Sequence, residues 1–354
     1  MDIIKVLIVD DSKLICSILE NIINHDNKLK VVGIANNPFE ANNLIAKNNP
    51  DVITLDLEMP KMNGVDFLEK MNKFHPIPTI IVSGHTTKTA QSTFKCLSLG
   101  AFDVILKPNT TTNSSWESVG ELLITEIKSA YQCNLNTLMQ TVNHQDDIQT
   151  NANNQQPIIS NGDYDFIAIG TSTGGVSALH ALLSQLPKGI PGIVIVQHIP
   201  KQFSKSFAES LNSKLHFEVV EGKEGTLIET NKIIIAPGNQ HMRIKKKGHQ
   251  YFCNLLSTYE LVNGHMPSVE VLFNSCEPYA KKVISVILTG MGCDGAKAMT
   301  SLKKAGSHTI VQDKESSLVW GMPGSVVKLN GACEILPISK IPNSIVNKSS
   351  KNKQ

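Results

Sequence analysis

The 354-residue sequence has almost no excess of charge, because 33 lysines and arginines stand against 31 aspartates and glutamates, giving a formal net charge of +2. Proteins that bind nucleic acid by neutralising phosphates need a basic face. The sequence offers one short basic run, Lys245 to Lys247, which we interpret as the solvated tip of a hairpin. The charge balance therefore predicts a protein that does not bind nucleic acid.

Long apolar stretches are also missing, since no segment approaches the ~20 residues that a membrane-spanning helix needs. The N-terminus lacks the basic region of an export signal, and its apolar run stops at Asp10 and Asp11. The seven cysteines include no C-x-x-C pair of the kind found in zinc or redox sites. We therefore expect reduced, mostly buried thiols, a cytoplasmic location and no membrane insertion.

What the sequence does contain is enough apolar material for packed cores, with 41% hydrophobic and 18% charged residues. Its length suggests roughly two domains. From position 132 to 161, 13 of 30 residues are Asn or Gln and none is aromatic, so little surface can be buried there. The prediction is a domain over 1–131, an Asn/Gln-rich linker over 132–162 and a second domain over 163–346.

Both predicted domains alternate β-branched runs with amphipathic segments, which is typical of parallel sheets with crossover helices. The expected strands lie at 5–9, 31–35, 52–55, 79–83 and 104–106, then at 166–169, 193–197, 232–236, 283–289 and 309–312. The expected helices lie at 12–24, 38–48, 64–74, 89–99 and about 115–131, then at 176–186, 204–215 and 269–279. An antiparallel hairpin is expected at 242–256. The fold class is α/β, with two doubly wound, mainly parallel sheets and a β-hairpin insertion in the second, three-layer domain.

Polar residues follow several of the predicted strands in the first domain, where the ligand site of a doubly wound sheet lies. These residues are Asp10, Asp11, Asp56, Ser83 and Lys107. Converging carboxylates repel one another unless a cation neutralises them, and oxygen ligands suit Mg²⁺. A carboxylate beside the metal can attack a phosphoryl group, with the lysine paired to it and the serine hydroxyl bonded to the added phosphate.

The alternative is that these residues cap helices, as Asp11 and Ser12 would before the first helix. However, the segments VLIVDDS, DVITLDLEMPKMNG, IIVSG and GAFDVILKP resemble the receiver domain of two-component response regulators. The resemblance implies Asp56 as phosphoacceptor, a metal site formed with it by Asp10, Asp11 and a backbone carbonyl near Glu58, and phosphate contacts from Ser83 and Lys107. It departs at Val104, where receivers often carry an aromatic switch residue, although Phe102 lies nearby.

The second domain begins with a predicted strand that runs into the sequence GTSTGG, from Gly170 to Gly175, and then into an apolar-periodic helix. A G-x-S-x-G pattern between a strand and a helix exposes a serine nucleophile beside backbone N–H groups that can stabilise an oxyanion. Ser172 would be that nucleophile. The alternative is a loop that cradles a phosphate or dinucleotide, although Ser172 occupies the middle glycine position of G-x-G-x-x-G.

Ser172 needs a base, and position must select among the 11 histidines. His198 ends the next strand, and adjacent parallel strands bring their carboxyl ends together. His241 and His265 are loop candidates for substrate contact or for no role, while His180 is expected to pack on a helix or face solvent. His198 is therefore the preferred base, with satisfaction of backbone groups as its structural alternative.

The third member of such a site is a carboxylate that orients the imidazole and stabilises its charged form. Asp294 fits best because it follows an apolar strand and precedes a helix, and Asp313 is the second choice. Capping the helix that follows it is the structural alternative for Asp294.

The order Ser172, His198, Asp294 is not that of α/β-hydrolases. The segments AIGTSTGG, IVQHIP, IIIAPGNQHM, PSVEVLF, ILTGMGCDGA and VWGMPGSV resemble the catalytic domain of chemotaxis-specific protein-glutamate methylesterases, which follows a receiver through a linker. The resemblance implies Ser172 as nucleophile, His198 as general base and acid, and Asp294 as the orienting carboxylate. It also implies an oxyanion and substrate environment that includes Thr173 and Met291, and no cofactor for the esterase reaction.

Together the two resemblances imply a phosphorylation-activated esterase that hydrolyses glutamate γ-methyl esters on chemoreceptors and releases methanol. The same acyl chemistry can deamidate receptor glutamines. The implied partners are methylated chemoreceptors as substrate and a chemotaxis histidine kinase as phosphodonor, with phosphorylation shifting the population toward an open esterase site. Two alternatives stay open: a non-catalytic, receiver-regulated receptor adaptor and a dinucleotide-binding regulator.

Overall fold

The structure is a computed structural model that describes residues 3–59, 63–84, 87–108, 115–133, 162–256, 258 and 260–350. The chain divides into two compact units, Met1–Val142 and Asn143–Gln354. Most of the expected linker lies outside the described residues, so its boundaries stay a prediction. Within the described ranges, no helix is long and apolar enough to cross a membrane.

In the first unit, strands and helices alternate as predicted, and each lies within two residues of its expected bounds. The strands are β1 Ile4–Val9, β2 Leu29–Ala35, β3 Val52–Leu55, β4 Thr79–Ser83 and β5 Asp103–Leu106, and the helices are α1 Lys13–His25, α2 Pro38–Asn48, α3 Gly64–Phe74, α4 Thr87–Ser98 and α5 Trp116–Gln132. The sheet is parallel in the order β2-β1-β3-β4-β5. Every residue of β3 and β4 is buried, as expected for a parallel sheet covered on both faces.

The second unit contains more elements than the sequence predicted. Its strands are β6 Phe166–Thr171, β7 Gly192–Gln197, β8 Glu218–Glu221, β9 Leu227–Ile228, β10 Lys232–Ile235, β11 His241–Lys247, β12 Gln250–Leu256, β13 Val283–Ile287, β14 His308–Gln312 and β15 Glu334–Leu336. Its α-helices are α6 Gly175–Leu183, α7 Lys201–Lys214, α8 Val269–Cys276, α9 Ala296–Ala305, α10 Met322–Lys328 and α11 Ile341–Ser349, and 3₁₀ turns cover Glu277–Lys282 and Ile338–Lys340.

The large sheet of this unit is parallel in the order β15-β14-β13-β6-β7-β10-β8. Strands β11 and β12 form the expected antiparallel hairpin, and β9 pairs with it in a separate three-stranded sheet. The strand β6 lies between β13 and β7, at the point where successive connections leave in opposite directions. Ligands of doubly wound sheets bind at such a point, outside the carboxyl ends of the strands.

Two local differences from the prediction have plain causes. The helix expected over 269–279 ends at Cys276 and continues as a 3₁₀ turn, because Pro278 has no N–H to extend the α-helical pattern. The strands β8 and β15 are only four and three residues long, which is too short for a clear periodic pattern. All seven cysteines are free thiols, and Cys16, Cys96, Cys253 and Cys276 are buried.

Candidate functional site

Three adjacent strands of the large sheet carry the predicted catalytic residues at their carboxyl ends. Ser172 directly follows β6, His198 directly follows β7, and Asp294 lies in the loop after β13. Since β13, β6 and β7 are neighbours in one parallel sheet, these ends meet at one edge. The N–H of His198 donates to the carbonyl of Thr171, the residue before Ser172, at 3.1 Å.

His198 and Asp294 form the central polar contact of this site. The ring nitrogen Nε2 of His198 lies 2.9 Å from Oδ2 of Asp294, and both side chains are almost fully buried. Burial alone would raise the pKa of Asp294. The hydrogen bonds to the carboxylate, of which the bond from His198 has the largest effect, outweigh the effect of burial and lower the pKa to about 2. The ionised carboxylate can only accept, so Nε2 carries the proton and Nδ1 is the basic nitrogen.

The other ring nitrogen of His198 is available for proton transfer. Nδ1 is buried and has no hydrogen-bond partner among the described residues. A neutral imidazole whose Nε2 donates to a carboxylate presents an unprotonated Nδ1, which is the state that a general base requires. The pair can therefore accept a proton and stabilise the resulting imidazolium.

Asp294 is held by more donors than His198 alone. Its Oδ1 accepts from Asn263 Nδ2 and Ser268 Oγ, both at 2.8 Å, and from the N–H of Glu270 at 3.2 Å. Its Oδ2 also accepts from the N–H of Val269 at 2.7 Å. These bonds leave the carboxylate little freedom to rotate away from His198.

We gave capping of the helix that follows Asp294 as its alternative role, and this prediction was wrong. The helix that follows it, α9, is capped by Gly295 without a side-chain hydrogen bond. Asp294 instead accepts from the first N–H groups of α8, Val269 and Glu270. Asp313 does not reach His198, because its Oδ1 accepts from the N–H and the hydroxyl of Ser316.

Ser172 sits in a tight turn between β6 and α6. Its N–H donates to the carbonyl of Thr289 at 3.1 Å, and its own carbonyl accepts from the N–H of Gly175 at 2.8 Å. The backbone of Gly290 approaches so closely that a Cβ there would lie 2.8 Å from Cβ of Ser172. Gly174 adopts a φ of 76°, which favours glycine at the end of this turn.

Thr173 and Met291 are the two residues expected near the oxyanion and the substrate. Thr173 is buried, and its carbonyl accepts from Thr289 Oγ1 at 3.0 Å. Met291 directly follows Gly290, the residue packed against Ser172. Their roles in the oxyanion and substrate environment stay predictions.

The three other histidines weighed as candidates, His265, His241 and His180, occupy different positions relative to the site. The ring of His265 stacks on that of His198, with centroids 3.6 Å apart and planes 9° from parallel. His241 is buried, donating from Nε2 to the carbonyl of Glu260 and accepting at Nδ1 from the N–H of Ser268. His180 lies within α6 and forms no part of the His198–Asp294 contact. The sequence alone gives no signal for the stacking of His265 on His198.

Sequence reasoning missed three residues that support this site. Asn263 and Ser268 donate to Asp294, and Gln197 donates to the backbone carbonyls of Ser172 and His198. The available signal for Gln197 was an amide at the end of an otherwise apolar strand, directly before His198. Asn263 and Ser268 lie in a loop, where periodicity gives no signal.

The first unit brings its predicted residues together at the carboxyl edge of its own sheet. Carboxylate oxygens of Asp10, Asp11 and Asp56 lie within 4.8 Å of one another. Nζ of Lys107 lies 2.7 Å from Asp10 Oδ2 and 2.9 Å from Asp56 Oδ2. Burial alone would lower the pKa of Lys107, but Asp56 and Asp10 outweigh it and raise the pKa.

This donor set fits a hard divalent cation. Burial raises the pKa of Asp10, and the nearby Lys107 offsets this only in part, so a further positive charge is electrostatically favoured. Asp11 is exposed, whereas Asp10 and Asp56 are buried, which leaves one side of the group open to water. The capping alternative holds for Ser12, whose hydroxyl accepts from the N–H of Ile15, and this leaves the Asp11 carboxylate outside the cap.

Ser83 ends β4 beside Lys107, whose N–H donates to the Ser83 carbonyl at 2.8 Å. The Ser83 hydroxyl is buried and has no hydrogen-bond partner among the described residues. Val104 pairs with Ile81 in the sheet, while Phe102 is fully buried. Phe102 therefore does not supply a solvent-facing aromatic ring in place of Val104.

Comparisons with known proteins cover nearly the whole chain. Residues 6–114 match the response regulator receiver domain, and residues 167–345 match the CheB methylesterase family. A "Protein-glutamate methylesterase/protein-glutamine glutaminase 2" of Saccharophagus degradans is 44% identical over 97% of this chain and 98% of its own length. A protein of Sulfurimonas denitrificans named "Protein-glutamate methylesterase/protein-glutamine glutaminase" is 37% identical over 99% of both chains.

A solved structure extends the comparison to three dimensions. The CheB methylesterase catalytic domain of Thermotoga maritima is 37% identical and superposes with a TM-score of 0.50, covering 52% of this chain and 98% of that domain. The family match over residues 167–345 spans Ser172, His198 and Asp294. The chain belongs to the CheB methylesterase family and carries a response regulator receiver domain before its methylesterase domain.

Proposed function

We propose that this protein is a protein-glutamate methylesterase in which Ser172, His198 and Asp294 carry the reaction. Its relatives bear the names of a methylesterase and a glutaminase, which supports ester and amide hydrolysis and disfavours a non-catalytic adaptor. The observation that carries the assignment is the Nε2 to Oδ2 contact of 2.9 Å between His198 and Asp294, beside the turn of Ser172. The substrates are the glutamate γ-methyl esters of methylated chemoreceptors.

In the acylation step, Ser172 Oγ attacks the γ-carbonyl carbon of the ester and gives its proton to Nδ1 of His198. The carboxylate of Asp294 stabilises the imidazolium that forms. Backbone N–H groups of the turn near Thr173, together with the loop at Met291, surround the oxyanion of the tetrahedral intermediate. The intermediate then collapses, and the imidazolium protonates the leaving methoxide to give methanol.

In the deacylation step, His198 accepts a proton from water, whose oxygen attacks the acyl carbon. Collapse of the second intermediate returns the proton to Ser172 and releases a free glutamate side chain. A receptor glutamine follows the same route, with ammonia leaving in place of methanol. The esterase steps use side chains and backbone groups of this unit alone.

The receiver unit supplies the regulation. We assign Asp56 as the phosphoacceptor, with Asp10, Asp11 and Asp56 as the residues that would hold Mg²⁺. When bound, Mg²⁺ neutralises the carboxylates and the incoming phosphoryl oxygens. Lys107 pairs with Asp56, and the hydroxyl of Ser83, which has no hydrogen-bond partner among the described residues, can bond the added phosphate. A chemotaxis histidine kinase is the proposed phosphodonor, and phosphorylation raises the activity of the esterase unit.

The test is methanol release from methylated chemoreceptor membranes by the full chain, with and without a small-molecule phosphodonor and Mg²⁺. Wild type should release methanol, and more of it with the phosphodonor. The variant Ser172→Ala should lose the activity, whereas Ser184→Ala, at the far end of α6, should retain it. The variant Asp56→Asn should keep the basal rate but lose the stimulation.

Three results would change the proposal. Equal release by wild type and Ser172→Ala, with a known methylesterase active on the same membranes, would contradict the esterase and support the adaptor. Saturable binding of a dinucleotide that Ser172→Ala weakens would support the regulator alternative. Serine-dependent release without phosphodonor stimulation would contradict only the regulatory assignment and direct attention to Val104.

A further inference from the structure

Gln197 is a polar side chain in a strand that is otherwise apolar. It is the last residue of β7, whose sequence GIVIVQ is buried at every position. Its side chain is 5% exposed. Burying a primary amide costs free energy unless hydrogen bonds replace the lost water. The position therefore needs an explanation in terms of its contacts.

The amide of Gln197 joins the backbone of the nucleophile to that of the base. Its Nε2 donates to the carbonyl of Ser172 at 2.9 Å and to the carbonyl of His198 at 3.1 Å. A glutamine amide has two N–H donors, so both are used. One side chain thus spans two adjacent strand ends at the residues that carry the reaction.

The orientation of this amide follows from its partners. Both backbone carbonyls can only accept, so the NH₂ group must face them and Oε1 must point away. Oε1 is buried without a hydrogen-bond partner among the described residues, and a Cβ placed on Gly175 would lie 2.1 Å from it. The close approach of Gly175 to this amide therefore requires a glycine.

The contact also orients the peptide that follows the nucleophile. The Ser172 carbonyl accepts from both Gly175 N–H and Gln197 Nε2, so its direction is fixed. Because the peptide group is planar and trans, this also fixes the direction of the N–H of Thr173. In G-x-S-x-G turns, the N–H after the nucleophile is an oxyanion donor.

We infer that Gln197 is a positioning residue that holds Ser172 and His198 in register and orients the peptide between Ser172 and Thr173. The inference rests on the proposed roles of Ser172 and His198. Reactions of this kind are sensitive to geometry, and a displacement of about 1 Å can cost about 100-fold in rate. Gln197 acts through its neighbours and does not touch the substrate.

The test compares full-length Gln197→Glu and Gln197→Met with wild type in the methanol-release assay. Glutamate keeps the shape but presents a carboxylate to two carbonyl oxygens, and methionine keeps the volume without a donor. Both should lower kcat by about 10- to 100-fold with KM changed less than about twofold, since about 1 Å of displacement would account for the upper value. Reaction of Ser172 with a fluorophosphonate should slow in parallel.

The matched control is Ser285→Ala. Ser285 is fully buried in the middle of β13, and its hydroxyl bonds to Ser307 Oγ at 3.0 Å. This variant loses a buried hydrogen bond of the same sheet away from the strand ends, so its melting temperature should fall while kcat stays at the wild-type value.

The pH profile separates positioning from general stability. Relative to wild type, Gln197→Glu should recover activity as the pH is lowered, because a protonated glutamic acid can again donate to a carbonyl. The pH dependence of Gln197→Glu also tests the positioning role of Gln197 if Gln197→Met does not fold. Retained kcat in the Gln197 variants, a raised KM alone, or a pH-independent ratio to wild type would overturn the inference. Wild type and Ser172→Ala in the same assay separate this result from a failure of the proposed function.

Discussion

His198 donates from Nε2 to Asp294 Oδ2 at 2.9 Å, and its Nδ1 is left buried without a partner in the described part of the chain. In chymotrypsin-like proteases the carboxylate bonds to Nδ1 and the serine faces Nε2. In the proposed mechanism Nδ1 takes the proton of Ser172, so the two ring nitrogens exchange roles. The order of the sheet accounts for this arrangement, because His198 follows β7 on one side of β6 and Asp294 follows β13 on the other side.

Replacing Asp294 by asparagine should lower kcat by about 10³- to 10⁴-fold, as loss of the orienting carboxylate does in serine hydrolases. An asparagine can present its NH₂ group to Nε2, which would favour the tautomer with the proton on Nδ1. That tautomer cannot accept the proton of Ser172. Methanol release and the rate of fluorophosphonate labelling measure the effect.

The control for this variant is Asp313→Asn, which changes another carboxylate at a strand end. Asp313 bonds to Ser316 and does not contact His198, so kcat should stay within about twofold of wild type. An equal loss in both variants would mean that the effect of Asp294→Asn is one of folding.

Asp294 should also make the stability of the second unit depend on pH. Its pKa of about 2 in the folded protein lies below the ordinary 3.8, so folding favours the ionised form. Ionisation of Asp294 therefore adds about 2 kcal/mol to the free energy of unfolding. This contribution is fully present above the ordinary pKa of the carboxyl group, and it is lost as the pH falls toward the lower pKa of the folded protein. Calorimetry between pH 5 and about pH 2 should show a steeper fall in melting temperature for wild type than for Asp294→Asn. If the melting temperatures of wild type and Asp294→Asn fell equally with pH, the lowered pKa of Asp294 would be contradicted.

The placement of the principal site residues could be predicted from the sequence because parallel strands bring their carboxyl ends to one edge. Ser172, His198 and Asp56 each follow a strand whose apolar run is clear in the sequence. The same rule selected Asp294 over the scattered acidic residues of the chain. Predictions of this kind need only the strand ends and the order of the sheet.

The residues that hold Asp294 and His198 in place could not be predicted in the same way. Asn263 and Ser268 reach Asp294 from the loop between β12 and α8, and Asn263 has a φ of 52°. Loop paths depend on individual backbone angles and long-range contacts, which leave no periodic signal. The stacking of His265 on His198 arises from the same loop.

In the receiver unit, Lys107→Met should destabilise the protein without Mg²⁺ and make its stability more dependent on Mg²⁺. The lysine pairs with two buried carboxylates, and removing one partner of a buried ion pair costs about 3 kcal/mol. The three remaining carboxylates would repel one another and bind the cation more tightly. Thermal unfolding across a Mg²⁺ titration measures both effects.

Lys128→Met is the matched control, since Lys128 pairs with Asp26 in a more exposed position. Its loss should cost less than about 1 kcal/mol and leave the Mg²⁺ dependence unchanged. If Lys107→Met and wild type gained the same melting temperature from Mg²⁺, the carboxylate group would not be the cation site.

The position of Ser172, the proposed nucleophile, should be sensitive to a single methyl group added at Gly290. In Gly290→Ala, the new Cβ would lie 2.5 Å from Met322 Sδ and 2.8 Å from Ser172 Cβ, so one of these groups must move. Met322 is fully buried, which directs part of the displacement to Ser172. We expect kcat to fall by about tenfold or more, since small displacements of a nucleophile have large kinetic effects.

Gly225→Ala is the comparison, because its φ of 76° strains an alanine but no atom lies within 4 Å of the new Cβ. That variant should lose stability while keeping its kcat, and an equal kcat for Gly290→Ala would show that the turn at Ser172 tolerates the displacement.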